Sequence, residues 1–176
     1  MIRDSQRQRV YDAEKILWPR RRPETAIFAN IEVARACAQQ ITGSATFRRW
    51  FPETPESVTL LEGRSCYQQM FRIRLAPYGF NNPCLLHELC HLVLFHRYFG
   101  KRKPADFSNH GWEFASTFLR MVGRWMGKSA ERTLRAEFKR LKVRTRPRRT
   151  RELTDEQRQV LRERFQERVA ATRRRP

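Results

Sequence analysis

Apolar residues recur at helical spacing in the first stretch of the chain, Arg3 to Leu17. Val10, Ala13, Ile16 and Leu17 form one stripe, Asp4 or Ser5 stands where a cap belongs, and Trp18-Pro19 ends the helix. A second helix is predicted from about Ile31 to Ile41, with Ile31, Ala34, Ala38 and Ile41 inward and Gly43 as its stop. The period then shortens. Ser57 to Leu61 and Tyr67 to Leu75 read as strands joined by a turn at Gly63-Arg64. In the second, Met70, Phe71, Ile73 and Leu75 are apolar while Arg72 and Arg74 alternate outward. Cys84 to Phe99 has neither Gly nor Pro and reads as a largely buried helix. Ala115, Phe118, Leu119, Val122 and Trp125-Met126 form the apolar face of the next helix, which Gly127 stops. Helical pattern continues from Ser129 to Leu141. Leu153-Thr154-Asp155-Glu156-Gln157 opens a last helix with a capping box, and Val160, Leu161, Phe165 and Val169 follow.

This order of elements predicts an α+β fold, a few helices packed on a small sheet. Its 176 residues suit one main domain with an appendage. We place the main domain at 1–138 and a basic linker with a C-terminal helix at 139–176.

Charge changes the picture. The chain holds 37 Lys+Arg against 18 Asp+Glu, a net of +19. Residues 139–176 alone carry 15 Lys+Arg and 5 Asp+Glu. Such a chain is drawn to polyanions, most simply DNA or RNA, through release of their counterions. The tail is the densest positive region, so Arg144, Arg146, Arg148, Arg149, Arg173, Arg174 and Arg175 are the candidate nucleic-acid contacts. Thr46 to Pro52 mixes aromatics with arginines. It suits stacking on unpaired bases, but the pattern favours a core edge whose arginines reach out to water.

The four cysteines, Cys37, Cys66, Cys84 and Cys90, form no CxxC and no even framework, and no secretory leader is visible. These features predict free thiols in a reducing cytoplasmic setting, with association to the nucleoid compatible with the charge. No window has the 18 uncharged apolar residues of a membrane span, so no membrane partner is expected.

The chemistry concentrates in His87-Glu88-Leu89-Cys90-His91. On a helix, two histidines four residues apart project from one face and can share one zinc ion at about 2 Å each. Glu88 sits beside them, placed to take a proton from an activated water without being a ligand itself. A catalytic zinc needs a third protein ligand and an open position. His110, at the mouth of the third helix, is the best candidate, and Glu113, one turn on, is a second-shell group or an alternative ligand. His96 points elsewhere. Cys84 could face the metal, but a buried thiol is the better reading.

His87-Glu88-Leu89-Cys90-His91 followed by His110-Gly111-Trp112-Glu113-Phe114 resembles the SprT-like metallopeptidases, a group that includes the DNA-dependent protease Spartan. Their pattern is HExxH followed by a short HGxxF-type motif that carries the third zinc-binding histidine. The opening Arg3-Asp4-Ser5-Gln6-Arg7-Gln8-Arg9-Val10-Tyr11-Asp12-Ala13-Glu14 is similar to a small family of predicted metallohydrolases from actinobacteria and their phages. The resemblance covers about residues 3–127. It implies a minimal zincin-like fold with the HExxH helix at the cleft, zinc on His87, His91 and His110, and Glu88 as catalytic base. It further implies hydrolysis of peptide bonds in protein substrates, including DNA-associated ones. The chain departs from the group at its end, where a basic helical tail replaces any zinc ribbon of paired cysteines. Two other readings of the same residues are a nucleic-acid-binding protein with a structural zinc site and a metal-dependent hydrolase of a non-peptide bond. Tyr78, Tyr98 and Arg97 are the candidates for stabilising an oxyanion, and nothing in the sequence ranks them.

Overall fold

A computed structural model describes residues 4, 6–21, 25–98, 109–147, 156, 159, 160 and 162–165. The fold is α+β. Its elements are helix α1 (Arg7–Glu14) with a 3-10 turn at Lys15–Leu17, α2 (Ile31–Gly43) and α3 (Ala45–Trp50). Strands β1 (Thr59–Glu62), β2 (Tyr67–Gln69) and β3 (Arg72–Leu75) follow, with a 3-10 turn at Pro77–Gly79. Helices α4 (Asn82–Tyr98), α5 (Trp112–Trp125) and α6 (Lys128–Arg140) complete the body. Residues 162–165 are also helical. The predicted capping box and most of the last helix lie outside the described residues.

The sheet departs from the sequence reading. Tyr67 to Leu75 is not one strand but a tight hairpin, with β2 antiparallel to β3 and Tyr67 opposite Arg74. Met70 takes a φ of 48° at the reversal, a conformation that no Gly or Asn in the sequence announces. Consequently Gly63-Arg64 does not join adjacent strands. β1 runs parallel to β3, Leu60 opposite Ile73, and the sheet order is β1-β3-β2. Ile73 and Leu75 are fully buried as expected, whereas Met70 and Phe71 at the reversal are exposed. β2 is therefore an edge strand.

α4 runs through the centre of the core. Leu85, Leu86, Leu89, Leu92, Val93 and Leu94 are all buried, so nearly its whole circumference is covered. α5 packs Phe114, Phe118, Leu119 and Val122 against it, and α6 adds Ala130, Leu134 and Phe138. α5 and α6 are separate helices because Gly127 takes a φ of 93°, which breaks the helix and which a side chain would strain. The Thr46–Pro52 stretch forms a core edge. Phe47 and Phe51 are buried, and the Phe47 ring lies 5.9 Å from Trp125. The chain remains packed past α6: Val143 is buried, and the Gln6 amide exchanges two hydrogen bonds with the Arg144 backbone at 3.2 and 3.0 Å. Among the described residues no helix is long and apolar enough to cross a membrane.

Candidate metal centre

α4 starts where the sequence can start a helix. Asn81 accepts the Cys84 N–H at 3.0 Å and Pro83 sits in the first turn, where its missing N–H costs nothing. One turn later the helix delivers His87 and Glu88, and another turn later His91. His110 arrives from outside this helix, one residue before the Gly111 cap of α5. Its Nε2 lies 3.4 Å from the Nε2 of His87, and that of His91 lies 3.1 Å from the same atom. Nitrogens bound at about 2 Å to a tetrahedral metal stand about 3.3 Å apart. Among the described residues, only these three histidines gather in this way, and they can hold a metal ion.

The far side of two rings shows why the cluster favours a cation. Nδ1 of His87 lies 2.6 Å from a Glu14 carboxylate oxygen, and Nδ1 of His110 lies 2.7 Å from Asp4. A carboxylate only accepts, so each Nδ1 carries the proton and each Nε2 of a neutral ring bears a lone pair. Two lone pairs 3.4 Å apart in a buried site repel, and a shared cation removes the repulsion. The charges respond accordingly. Burial lowers the pKa of His87, but the carboxylates of Glu14 and Glu88 outweigh it and the net shift is upward. Burial, with His87 and His110 adjacent, holds His91 well below the usual histidine range. Burial brings His110 down to about 4 in spite of Asp4. Phe114 closes the base of the cluster, with ring centroids 4.8, 4.6 and 4.9 Å from His87, His91 and His110.

Glu88 does not join the histidines. It is buried and its Oε2 has no hydrogen-bond partner among the described residues, which is costly unless the group has a task. Burial pushes its carboxyl up to about 7, against the opposing pull of His87. Glu88, His91 and His110 line a cleft of about 280 Å³ together with Tyr11, Cys66 and Tyr67. Behind them a second pocket of about 310 Å³, walled by Trp18, Tyr78 and Pro83, shares Tyr11, Cys66 and Glu88 with the cleft.

The other expectations divide. His96 is away from the cluster, 5.0 Å from the Phe71 ring. Cys84 and Glu113 are absent from the group of converging ligand atoms. Glu113 is not among the ligands because α5 begins at Trp112, so His110 precedes the helix and the two residues do not share a helical face. Glu14 and Asp4 place carboxylates behind the His87 and His110 rings. Asp4 or Ser5 is the expected cap of α1, yet α1 starts after Gln6 without a side-chain cap, and the Asp4 carboxylate goes to His110; Ser5 lies outside the described residues. Tyr11, stacked on His87 at 5.5 Å and edge-on to His110 at 5.0 Å, was also missed. Asp4, Tyr11 and Glu14 all come from the first fourteen residues of the chain, far in sequence from the histidines they meet. Of the oxyanion candidates only Tyr78 adjoins the site, through the second pocket. Of the candidate nucleic-acid residues, Arg144 and Arg146 are exposed, and Arg148, Arg149, Arg173, Arg174 and Arg175 lie outside the described residues. No family model, curated protein or solved structure matches the chain.

Proposed function

We propose that the chain is a zinc-dependent metallopeptidase of zincin type, with His87, His91 and His110 as ligands and Glu88 as general base. The observation that carries the reading is the pairing of inward Nε2 atoms with an unpartnered buried carboxylate at the same cleft. Three histidines with one open position are the donor set of a catalytic rather than a structural zinc, which takes four protein ligands. When bound, zinc supplies Lewis-acid activation of a carbonyl and of a water molecule.

The chain's own residues do the rest. Glu14 and Asp4 keep two Nε2 lone pairs turned inward and raise their basicity. Glu88, whose Oε2 has no hydrogen-bond partner among the described residues, accepts the proton of the attacking water and passes it to the leaving amine. Tyr11 and Arg7 bring a hydroxyl and a guanidinium to the cleft wall, donors of the kind a developing oxyanion needs. A peptide substrate is favoured by β2: it is an edge strand, and its Tyr67 and Gln68 line the cleft, so an extended chain can add to it. The second pocket leaves room for a side chain next to the scissile bond.

Glu88→Gln tests the assignment. The variant should keep about one zinc per chain and lose turnover of an unfolded protein by about 10²- to 10⁴-fold. Undiminished turnover removes Glu88 from the mechanism, and a zinc-loaded wild type that cleaves no protein ends the peptidase reading.

A further inference from the structure

Far along α5 from the histidines lies a cavity of about 500 Å³, floored by α5 and bounded by α3, α6 and residues 145–146. It shares no lining residue with the metal cleft. Arg124 stands about 15 Å along the helix axis from Phe114, the residue under the histidines. Its walls carry five cations, Arg120, Arg124, Lys128, Arg135 and Arg146, and one carboxylate, Glu131.

That carboxylate is already engaged. Lys128 donates to it at 2.8 Å and Arg135 at 2.7 Å. Among the described residues Arg120, Arg124 and Arg146 make no ion pair. Arg120 and Arg124 are four residues apart on one face of α5, a spacing at which like charges repel. Arg120 lies over the Trp50 ring, its guanidinium carbon 3.7 Å from the ring centroid. Partial burial and the nearby Arg97 and Arg49 push its guanidinium below the ordinary arginine range. The fold thus gathers several guanidinium groups around one concavity whose single acid is already engaged, and an anion would complete the arrangement.

We propose that this cleft is a binding site for the phosphodiester backbone of a nucleic acid. Guanidinium groups present their N–H edges to phosphate oxygens in bidentate fashion, and that of Arg120 is held in place by the Trp50 ring. A stripe along α5 and α6 suits a linear array of charges better than a single anion. Trp50, half-buried and already bearing one planar cation, adds an aromatic surface of the kind on which bases stack. The net charge of +19 supplies long-range attraction, and Arg146 connects the cleft to the basic tail. The site is independent of the metal, so binding and hydrolysis are separable.

The experiment is fluorescence anisotropy of a labelled single-stranded oligonucleotide of mixed sequence, titrated with full-length protein over a range of salt. Arg120→Glu and Arg124→Glu are compared with Arg132→Glu, which makes the same charge change at an exposed position on α6 outside the cavity. Each cleft variant should weaken binding by about tenfold or more and flatten the salt dependence by about one contact. Arg132→Glu should change affinity less than about twofold. Since Arg120 packs on Trp50, Arg120→Lys guards against a folding defect by retaining charge, and Arg124→Glu tests the cleft without touching that stack. Equal losses at Arg124 and Arg132 would replace the site with diffuse attraction. Unchanged affinity in both cleft variants overturns it outright, and so does displacement of the oligonucleotide by polyglutamate at equal charge concentration, which would assign the cleft to an acidic protein. Zinc content, measured in parallel, should stay at the wild-type value in every variant, which separates failure here from failure at the metal centre.

Discussion

The two ends of α5 solve opposite electrostatic problems. At its start, Phe114 lies under a buried cluster in which the Glu14 and Asp4 carboxylates are each matched to a ring nitrogen, of His87 and His110. At its finish, Arg120 and Arg124 stand at the surface among other cations, and the only acid in the cavity is already shared by Lys128 and Arg135. Low dielectric explains the first arrangement: an unmatched charge there would cost several kcal/mol, about the stability of a small domain. Water and salt explain the second, because exposed like charges repel by only a few tenths of a kcal/mol. Charge is thus tightly specified where it is buried and freely accumulated where it is not. One helix carries both because its apolar face, Phe114, Phe118, Leu119 and Val122, is held by the same core throughout.

The contrast can be broken from the buried end first. Phe114→Ala removes a fully buried ring beneath three histidines and should lower unfolding free energy by about 3–5 kcal/mol, read from denaturant titration. A loss below about 1 kcal/mol would mean that the centre is held by its hydrogen bonds rather than by packing. Next comes Glu14→Gln. It keeps the shape but not the charge behind His87, and should weaken metal affinity by about 10- to 100-fold in a chelator competition. Asp4→Asn should do less, because the Asp4 side chain is 25% exposed against 9% for Glu14, so water already screens its pairing with His110. The reverse order of the two would show that the link to His110 governs the site. The smallest effect belongs to the other end of the helix. Arg124→Ala should change stability by less than about 0.5 kcal/mol, with relief of repulsion from Arg120 as the favourable component. A substantial loss of stability there would mean that Arg124 supports the fold, and would weaken its assignment to ligand binding.

Much of this was legible because it is local. The HExxH spacing places two imidazoles on one helical face whatever surrounds it, and Asn81-Asn82-Pro83 supplies the helix start. His110 could be chosen because a third donor was needed and few histidines were available. The hairpin was not legible: Gln69-Met70-Phe71 has no turn residue, and Met70 accepts a φ of 48° because β3 is held in register between β1 and β2. The roles of Asp4 and Glu14 were not legible for a similar reason. Sequence rules see Asp4 as a cap beside its own helix, while its partner lies 106 residues away.

The sequence by itself determined the helical periods, the HExxH pair, the candidate third histidine and the excess of positive charge, since each depends on spacing or composition within a few turns. The tertiary structure decided which carboxylates stand behind the histidines, that Glu113 is not among the ligands, and that Tyr11 covers the cluster. It also decided that arginines from α5, α6 and residue 146 surround one cavity. Those outcomes depend on how distant segments pack, and packing is set by the whole core at once rather than by any stretch of it.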